Sequence, residues 1–394
     1  MLRQDIIREA TRLTRAGRLV EATALLQQML RGEKATDATI NTNPIVLPAR
    51  SVIDVEANWV KDTESPRSAP AASQQSSKYR ARRNRTNNSL GLQLRGVTKR
   101  APPSIRDVVP EGAQFIDGNY SNPEGSRAYR LFIPSSYHGQ PLPLIVMLHG
   151  CTQSPDDFAA GTRMNFSAEA QPCFVAYPAQ RSEANQAKCW NWFRTTDQQR
   201  GKGEPSLIAG ITRQIMREYS VDPKRVYVAG LSAGAAAAAI MGETYRDLYA
   251  AVGVHSGLAC GAATDLPSAL LAMRQGGGSD HCTVSSDRPI VPTIVFHGDR
   301  DKTVHPSNGD RVIEQSINAT GTQTKMHRGQ VPDGHAYTRI VHSDASGRQF
   351  LEHWTIHGAG HAWSGGSSAG SYTDPRGPHA TREMLRFFLE HSLS

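Results

Sequence analysis

Long apolar runs are the first thing this 394-residue chain lacks. No stretch approaches the roughly 18 uninterrupted apolar residues of a membrane-crossing helix, so no such span is expected. The start, Met1 to Glu9, lacks the cation-then-apolar pattern of a signal peptide, because Asp5 and Glu9 stand where it would need basic and apolar residues. A cytoplasmic location is therefore the default expectation. The five cysteines, Cys151, Cys173, Cys189, Cys260 and Cys282, contain no C-x-x-C pair, which removes the usual zinc signature. Their odd number leaves at least one thiol unpaired within the chain, and pairing and redox compartment stay open. Acidic residues are missing altogether between Lys78 and Arg100, where Lys78, Arg80, Arg82, Arg83, Arg85, Arg95, Lys99 and Arg100 equal the whole net charge of +8. A cation run confined to one polar segment reads as a solvated linker rather than a nucleic-acid surface.

What is present falls into three parts. Residues 1–31 read as a helical hairpin, with Ile6, Ile7 and Leu13 before a break at Ala16-Gly17-Arg18 and Leu19, Ala22, Leu25, Leu26 and Met29 after it. The pattern resembles half of a tetratricopeptide unit, but no second copy follows to cover its apolar face. Residues 32–110 are polar and irregular and read as a mostly disordered basic linker. From 111 to 394, strands and helices alternate. Apolar runs at Arg127–Ile133, Leu144–Leu148, Phe174–Tyr177, Arg225–Ala229, Ala250–Val254 and Pro292–Phe296 predict strands, and Leu207, Ile208, Ile211, Ile215 and Tyr219 predict a helix. Tyr337–Val341 and Phe350–Ile356 predict an antiparallel hairpin before a closing helix at Glu383–His391. The expected class is α/β, a mostly parallel sheet covered by helices on both faces.

The strongest chemical signal is Gly230-Leu231-Ser232-Ala233-Gly234, a G-x-S-x-G directly after a predicted strand and directly before the alanine-rich run Ala235–Ile240. That context predicts a nucleophile elbow, where a tight turn holds the serine hydroxyl out of the sheet. A serine hydroxyl needs a base to take its proton and an acid to orient the base. His297-Gly298-Asp299-Arg300-Asp301 follows a strand and brings carboxylates to the sheet edge where ligands of this class bind; Asp301 is the expected acid and Asp299 the fallback. His361, in Gly358-Ala359-Gly360-His361-Ala362-Trp363, is the expected base and completes the order Ser, Asp, His. The oxyanion hole is expected from the amide of Ala233 and that of Cys151, or else Thr152, in His149-Gly150-Cys151-Thr152. Trp190, Trp192 and Trp363 are expected to rim the cleft as an apolar substrate platform, with core packing as the other reading. The H-x3-H-x3-H spacing of His353, His357 and His361 does not suit a metal, because the first two flank a strand and no acidic partner motif accompanies them. His149, His255, His305 and His335 read as structural or surface residues.

Taken together, Leu144–Cys151, Cys189-Trp190-Asn191-Trp192, Gly230–Gly234, Ser256-Gly257-Leu258, His297–Asp301 and Gly360–Trp363 resemble the polyhydroxybutyrate depolymerase family of esterases, whose relatives include feruloyl and acetylxylan esterases. The resemblance covers roughly 111–394. It implies an α/β-hydrolase that cleaves carboxylic esters through an acyl-enzyme on Ser232, without a cofactor or metal, with poly(3-hydroxybutyrate) or its oligomers as the expected substrate. It also implies that an extracellular location is compatible with the chain. Members that degrade polymer often carry a polymer-binding domain after the catalytic one; the sequence stops at Ser394 soon after the last helix, which points away from an insoluble polymer. Two alternatives stand beside this reading. One keeps the chemistry and changes the substrate to a feruloyl, acetyl or other short-acyl ester. The other makes the chain a surface- or granule-associated binding protein that uses its hairpin and basic segment. A peptidase on the same fold is a further reading, but the sequence shows no propeller or comparable gating domain to favour it.

Overall fold

The computed structural model describes residues 103–277, 291–317 and 322–394. The expected hairpin and most of the expected linker lie outside the described residues. Where the linker should still run, the structure already has α1 (Ile105–Val108). Val108 is buried and its carbonyl accepts from Asn165 Nδ2 at 2.9 Å, so the folded unit extends ahead of residue 111. An apolar side chain and a satisfied carbonyl fix this segment, and composition over a long polar window masks so short an element.

The elements then run β1 (Gln114–Asn122), β2 (Gly125–Ile133), β3 (Leu142–Leu148), α2 (Pro155–Thr162), α3 (Met164–Ala170), β4 (Phe174–Pro178), α4 (Gly203–Glu218), β5 (Val221–Leu231), α5 (Ala233–Thr244), β6 (Ala251–His255), α6 (Leu266–Gln275), β7 (Thr293–Gly298), α7 (Ser307–Ser316), β8 (Gln323–Gln330), β9 (Ala336–Ser343), β10 (Gln349–Ile356), the short β11 (Trp363–Ser364) and β12 (Thr373–Asp374), and α8 (Ala380–Leu389). One ten-stranded sheet has the order β1-β2-β4-β3-β5-β6-β7-β10-β9-β8. Every pairing from β4 across to β10 is parallel, and antiparallel strands close both flanks.

Strands buried on both faces read as continuous apolar runs, and β3 is the example: all seven of its residues are buried. Its side chains alternate between two cores, Leu144, Val146 and Leu148 on one face and Ile145 and Met147 on the other. The alanines of α5 let that helix lie close against the sheet; a Cβ at Gly242 would come 2.5 Å from Val252. The register aligns the carboxyl ends: Leu231 stands opposite His255, and His255 opposite Phe296. The loops after β5, β6, β7 and β10 therefore leave the sheet along one edge, where ligands bind in folds of this kind. Among the described residues no helix is long and apolar enough to cross a membrane.

Candidate active site

Ser232 joins β5 directly to α5 with φ 58° and ψ −120°, a backbone conformation that side chains rarely adopt. Its own N–H donates to the His255 carbonyl at 2.9 Å and its carbonyl accepts from Ala236 N at 3.0 Å, so the turn is pinned from both sides. The flanking glycines are required by space. A Cβ at Gly230 would stand 2.3 Å from the Gly234 backbone, and one at Gly234 would stand 2.0 Å from the Leu148 carbonyl. The turn can form only where both positions lack side chains.

Asp301 and His361 meet. His361 Nδ1 lies 2.6 Å from Asp301 Oδ2, with the carboxylate shut away from solvent and the imidazole nearly so. Asp301 Oδ1 accepts from the backbone N–H groups of Thr303 (2.8 Å) and Val304 (2.9 Å), and His297 Nε2 approaches Oδ2 at 3.5 Å while also reaching the Val304 carbonyl at 2.9 Å. Burial alone would raise this carboxyl. The hydrogen bonds from His297 and His361, the charge of His361 and the Val304 amide outweigh it and hold the group well below the ordinary carboxylate range. With Nδ1 engaged by the carboxylate, Nε2 is the nitrogen of His361 left to handle a proton. The fallback acid has another partner: Asp299 accepts from His357 Nδ1 at 3.0 Å and from Gly358 N at 2.7 Å. His353, His357 and His361 thus serve three separate surroundings, His353 lying nearest Asp310 at 3.6 Å.

His255 backs the site from within. It is fully buried, stacked between Phe296 and Trp363, and its Nε2 accepts from Ser364 N at 3.0 Å, which fixes the loop just after His361. Burial lowers its pKa to about 3, so it stays neutral as an acceptor must.

The oxyanion candidates separate on hydrogen bonding. The Thr152 N–H is spent on the Ala187 carbonyl at 2.6 Å, whereas Cys151 N–H and Ala233 N–H, the latter at the start of α5, make no hydrogen bond among the described residues. The loop carrying Cys151 is held by polar contacts and one covalent bond. His149 Nδ1 reaches the Gly150 carbonyl (2.8 Å), its Nε2 accepts from Gln180 N (3.0 Å), and Gly150 N donates to Gln153 Oε1 (2.9 Å). A disulfide joins Cys151 to Cys189. Beneath the Cys189 loop, buried Glu204 accepts from Asn191 N and Nδ2 (2.7 and 2.8 Å), from Gln180 Nε2 and from Arg127 (3.3 Å). Burial, reinforced by the Asp197 carboxylate, raises the Glu204 pKa.

The three tryptophans do not form a platform. Trp190 is 0% exposed and donates its indole N–H to the His149 carbonyl; Trp363 is 1% exposed, donates to Thr381 Oγ1 and packs edge-on against Phe158; Trp192 is 6% exposed and sets its ring edge-on to Phe193. Two of the three indole N–H groups find partners inside, which is how a large amphipathic ring becomes core. Trp190 thereby supports the loop carrying Cys151 from within. His149 and His255, read from the sequence as structural or surface residues, are buried structural clasps, and the pairing that the sequence left open is Cys151 with Cys189.

Over residues 127–329 the sequence matches the family described as Esterase PHB depolymerase. The chain belongs to that family. As a member it is a carboxylic ester hydrolase, and the match takes in Ser232 and Asp301 and stops short of His361. The esterase is 32% identical over 287 residues to the poly(3-hydroxyalkanoate) depolymerase C of Paucimonas lemoignei, which spans 70% of this chain and 68% of that protein. It is 28% identical over 274 residues to feruloyl esterase B of Neurospora crassa, covering 65% of this chain and 88% of the relative. Among solved structures, an acetyl xylan esterase from Aspergillus awamori superposes with a TM-score of 0.52 at 17% identity, over 71% of this chain and 99% of that one, a likeness of fold.

Proposed function

We propose that this esterase acts through Ser232 as nucleophile, His361 as base and Asp301 as orienting acid, and that its substrates are aliphatic hydroxyalkanoate esters, polymer or oligomer. The observation that carries the triad is the buried 2.6 Å contact between Asp301 Oδ2 and His361 Nδ1, together with an elbow serine at the end of a strand whose register shares that sheet edge. His361 Nε2 takes the proton of Ser232 Oγ as the oxygen attacks the ester carbonyl carbon. The negative charge that develops on the carbonyl oxygen is met by the N–H groups of Cys151 and Ala233. Collapse of the tetrahedral intermediate breaks the ester C–O bond, the imidazolium gives its proton to the departing alkoxide, and an acyl-enzyme remains. Water, deprotonated by the same nitrogen, then releases the acid and restores Ser232. Asp301 keeps the proton on Nδ1 throughout.

The similarity to the Paucimonas lemoignei protein, named for depolymerising poly(3-hydroxyalkanoate), supports the substrate class. A second reading, a feruloyl or acetyl ester, has the support of the relatives bearing those names. Rates on p-nitrophenyl butyrate, 3-hydroxybutyrate trimer and methyl ferulate, for the wild type and Ser232→Ala, test both. Trimer hydrolysis abolished in the variant agrees with the proposal; preference for ferulate would move the substrate to the second reading, and activity surviving in Ser232→Ala would remove the mechanism.

A further inference from the structure

Tyr372 lies on none of the motifs above, yet it occupies an unusual position. It is one of seven large hydrophobic side chains left exposed among the described residues, at 44%, it stands at φ 52°, and its hydroxyl lies 3.1 Å from Thr152 Oγ1. Thr152 immediately follows the oxyanion candidate Cys151, is itself exposed, and stands at φ 67°, a strained setting for a β-branched residue. Two strained residues therefore touch between the loop carrying Cys151 and the loop that follows His361, and Lys188, Ser232 and Ser256 are also among the seven described non-glycine residues at positive φ. Strain of this kind persists only where the surroundings over-determine it, and it gathers at functional sites.

The surroundings do over-determine it. Tyr372 O accepts from Trp363 N at 2.7 Å, two residues beyond His361. Its neighbour Ser371 is latched through N–H to Asp157 Oδ1 (3.0 Å) and through its carbonyl to Gln153 Nε2 (3.1 Å), and the other end of that Gln153 amide holds Gly150 N in the oxyanion loop. Gly370 passes so close to α2 that a Cβ would meet Gly161 at 2.4 Å. A ring this firmly placed and still open to solvent is pre-organised for contact, since an aromatic with few rotatable bonds gives apolar area at small entropic cost.

We propose that Tyr372, held by Thr152, is a specificity-determining wall of the acyl subsite that grips an aliphatic acyl chain extending out of the site. The acyl side follows from Thr152 adjoining the amide assigned to the acyl carbonyl. A grip on long chains follows from exposure, because a ring at the lip reaches only what extends past the reacting carbon, and an acetyl group ends there. The inference rests on the serine-esterase reading.

The test compares kcat/KM on p-nitrophenyl octanoate and p-nitrophenyl acetate for the wild type, Tyr372→Ala, Tyr372→Phe, Thr152→Val and Ser232→Ala. In Tyr372→Ala the octanoate-to-acetate ratio should fall about tenfold, mainly through KM, because the longer chain loses its apolar contact with the ring. Tyr372→Phe keeps the ring and loses the bond to Thr152, so it should recover most of that ratio and match Thr152→Val. An unchanged ratio in Tyr372→Ala, or an equal loss on both esters, overturns the inference. Should Tyr372→Ala fail to melt cooperatively, the other two variants decide: a shared, smaller fall in the ratio supports it, and no change in either overturns it. Turnover surviving in Ser232→Ala would instead overturn the serine reading, whereas an inert Ser232→Ala with an unchanged ratio in Tyr372→Ala removes only the role of Tyr372.

Discussion

Asp301→Asn is the perturbation whose cost the structure sets most closely. Three groups donate to the carboxylate, Thr303 N and Val304 N on Oδ1 and His361 Nδ1 on Oδ2, while His297 Nε2, engaged by the Val304 carbonyl at 2.9 Å, stands 3.5 Å from Oδ2. An asparagine must turn its NH2 toward one side. If the amide oxygen stays with the two backbone N–H groups, the NH2 faces His361, whose Nδ1 must then accept. The ring proton moves to Nε2, and the nitrogen meant to take the Ser232 proton is occupied. A wrong-tautomer triad of this kind loses about 10⁴ in kcat, or about 5 kcal/mol of barrier, with KM little affected. Asp299→Asn, at a partly exposed carboxylate serving His357 and Gly358, should change kcat by less than about threefold. Initial rates on p-nitrophenyl butyrate, with kcat and KM resolved and melting curves to show that both variants fold, make the comparison. The reasoning is refuted if Asp301→Asn stays within tenfold of the wild type, or if Asp299→Asn is as damaging.

Reducing the Cys151–Cys189 bond should lower kcat by about 10- to 100-fold with little change in KM, because it loosens a loop bearing one oxyanion amide, and a loop of 38 residues released in the unfolded chain should lower stability by about 4 kcal/mol; rates and melts before and after phosphine treatment, with thiol titration to prove reduction, check both. Stability should fall on acidification. Burial holds His149 at about 4 despite the opposing pull of the Gly150 carbonyl, against 6.5 for the free side chain. Between those values the unfolded chain binds a proton that the folded chain refuses, so stability declines as pH drops from about 6.5 to about 4, by on the order of 3 kcal/mol for this residue. Urea titrations at pH 7 and 4.5 measure it, and flat stability across that range would contradict the buried neutral histidine. Gly234→Ala must place a methyl 2.0 Å from the backbone of β3 and should cost about 3–5 kcal/mol or prevent folding, while Gly360→Ala, with nothing within 4 Å, should cost less than about 1 kcal/mol; chemical denaturation separates them.

How much of this the sequence shows depends on burial. The central strands are legible because a strand covered on both faces must be apolar throughout, as in Leu142–Leu148. β8 is almost wholly exposed along Gln323–Gln330, an edge strand whose polar residues carry no alternation, so nothing in the sequence marks it. The elbow is legible because glycines at 230 and 234 answer to contacts with fixed backbone, and the Asp301–His361 pairing because each follows a strand ending on one edge. The tryptophans mislead for a related reason: their chain positions lie beside the site, but which face each ring takes is settled by partners such as His149 and Thr381, far away in sequence. An odd set of cysteines cannot tell that Cys151 meets Cys189, and Tyr372 sits in a Gly- and Ser-rich stretch whose conformation depends on Gln153 and Asp157.

The most direct test of the central claim is covalent. The esterase is inactivated with a fluorophosphonate, a reagent that captures an activated serine, and the adduct is located by peptide mass spectrometry. The account predicts one adduct, on Ser232, appearing in step with the loss of p-nitrophenyl butyrate hydrolysis and absent from His361→Ala. An adduct on another residue, or full activity with Ser232 modified, would contradict it.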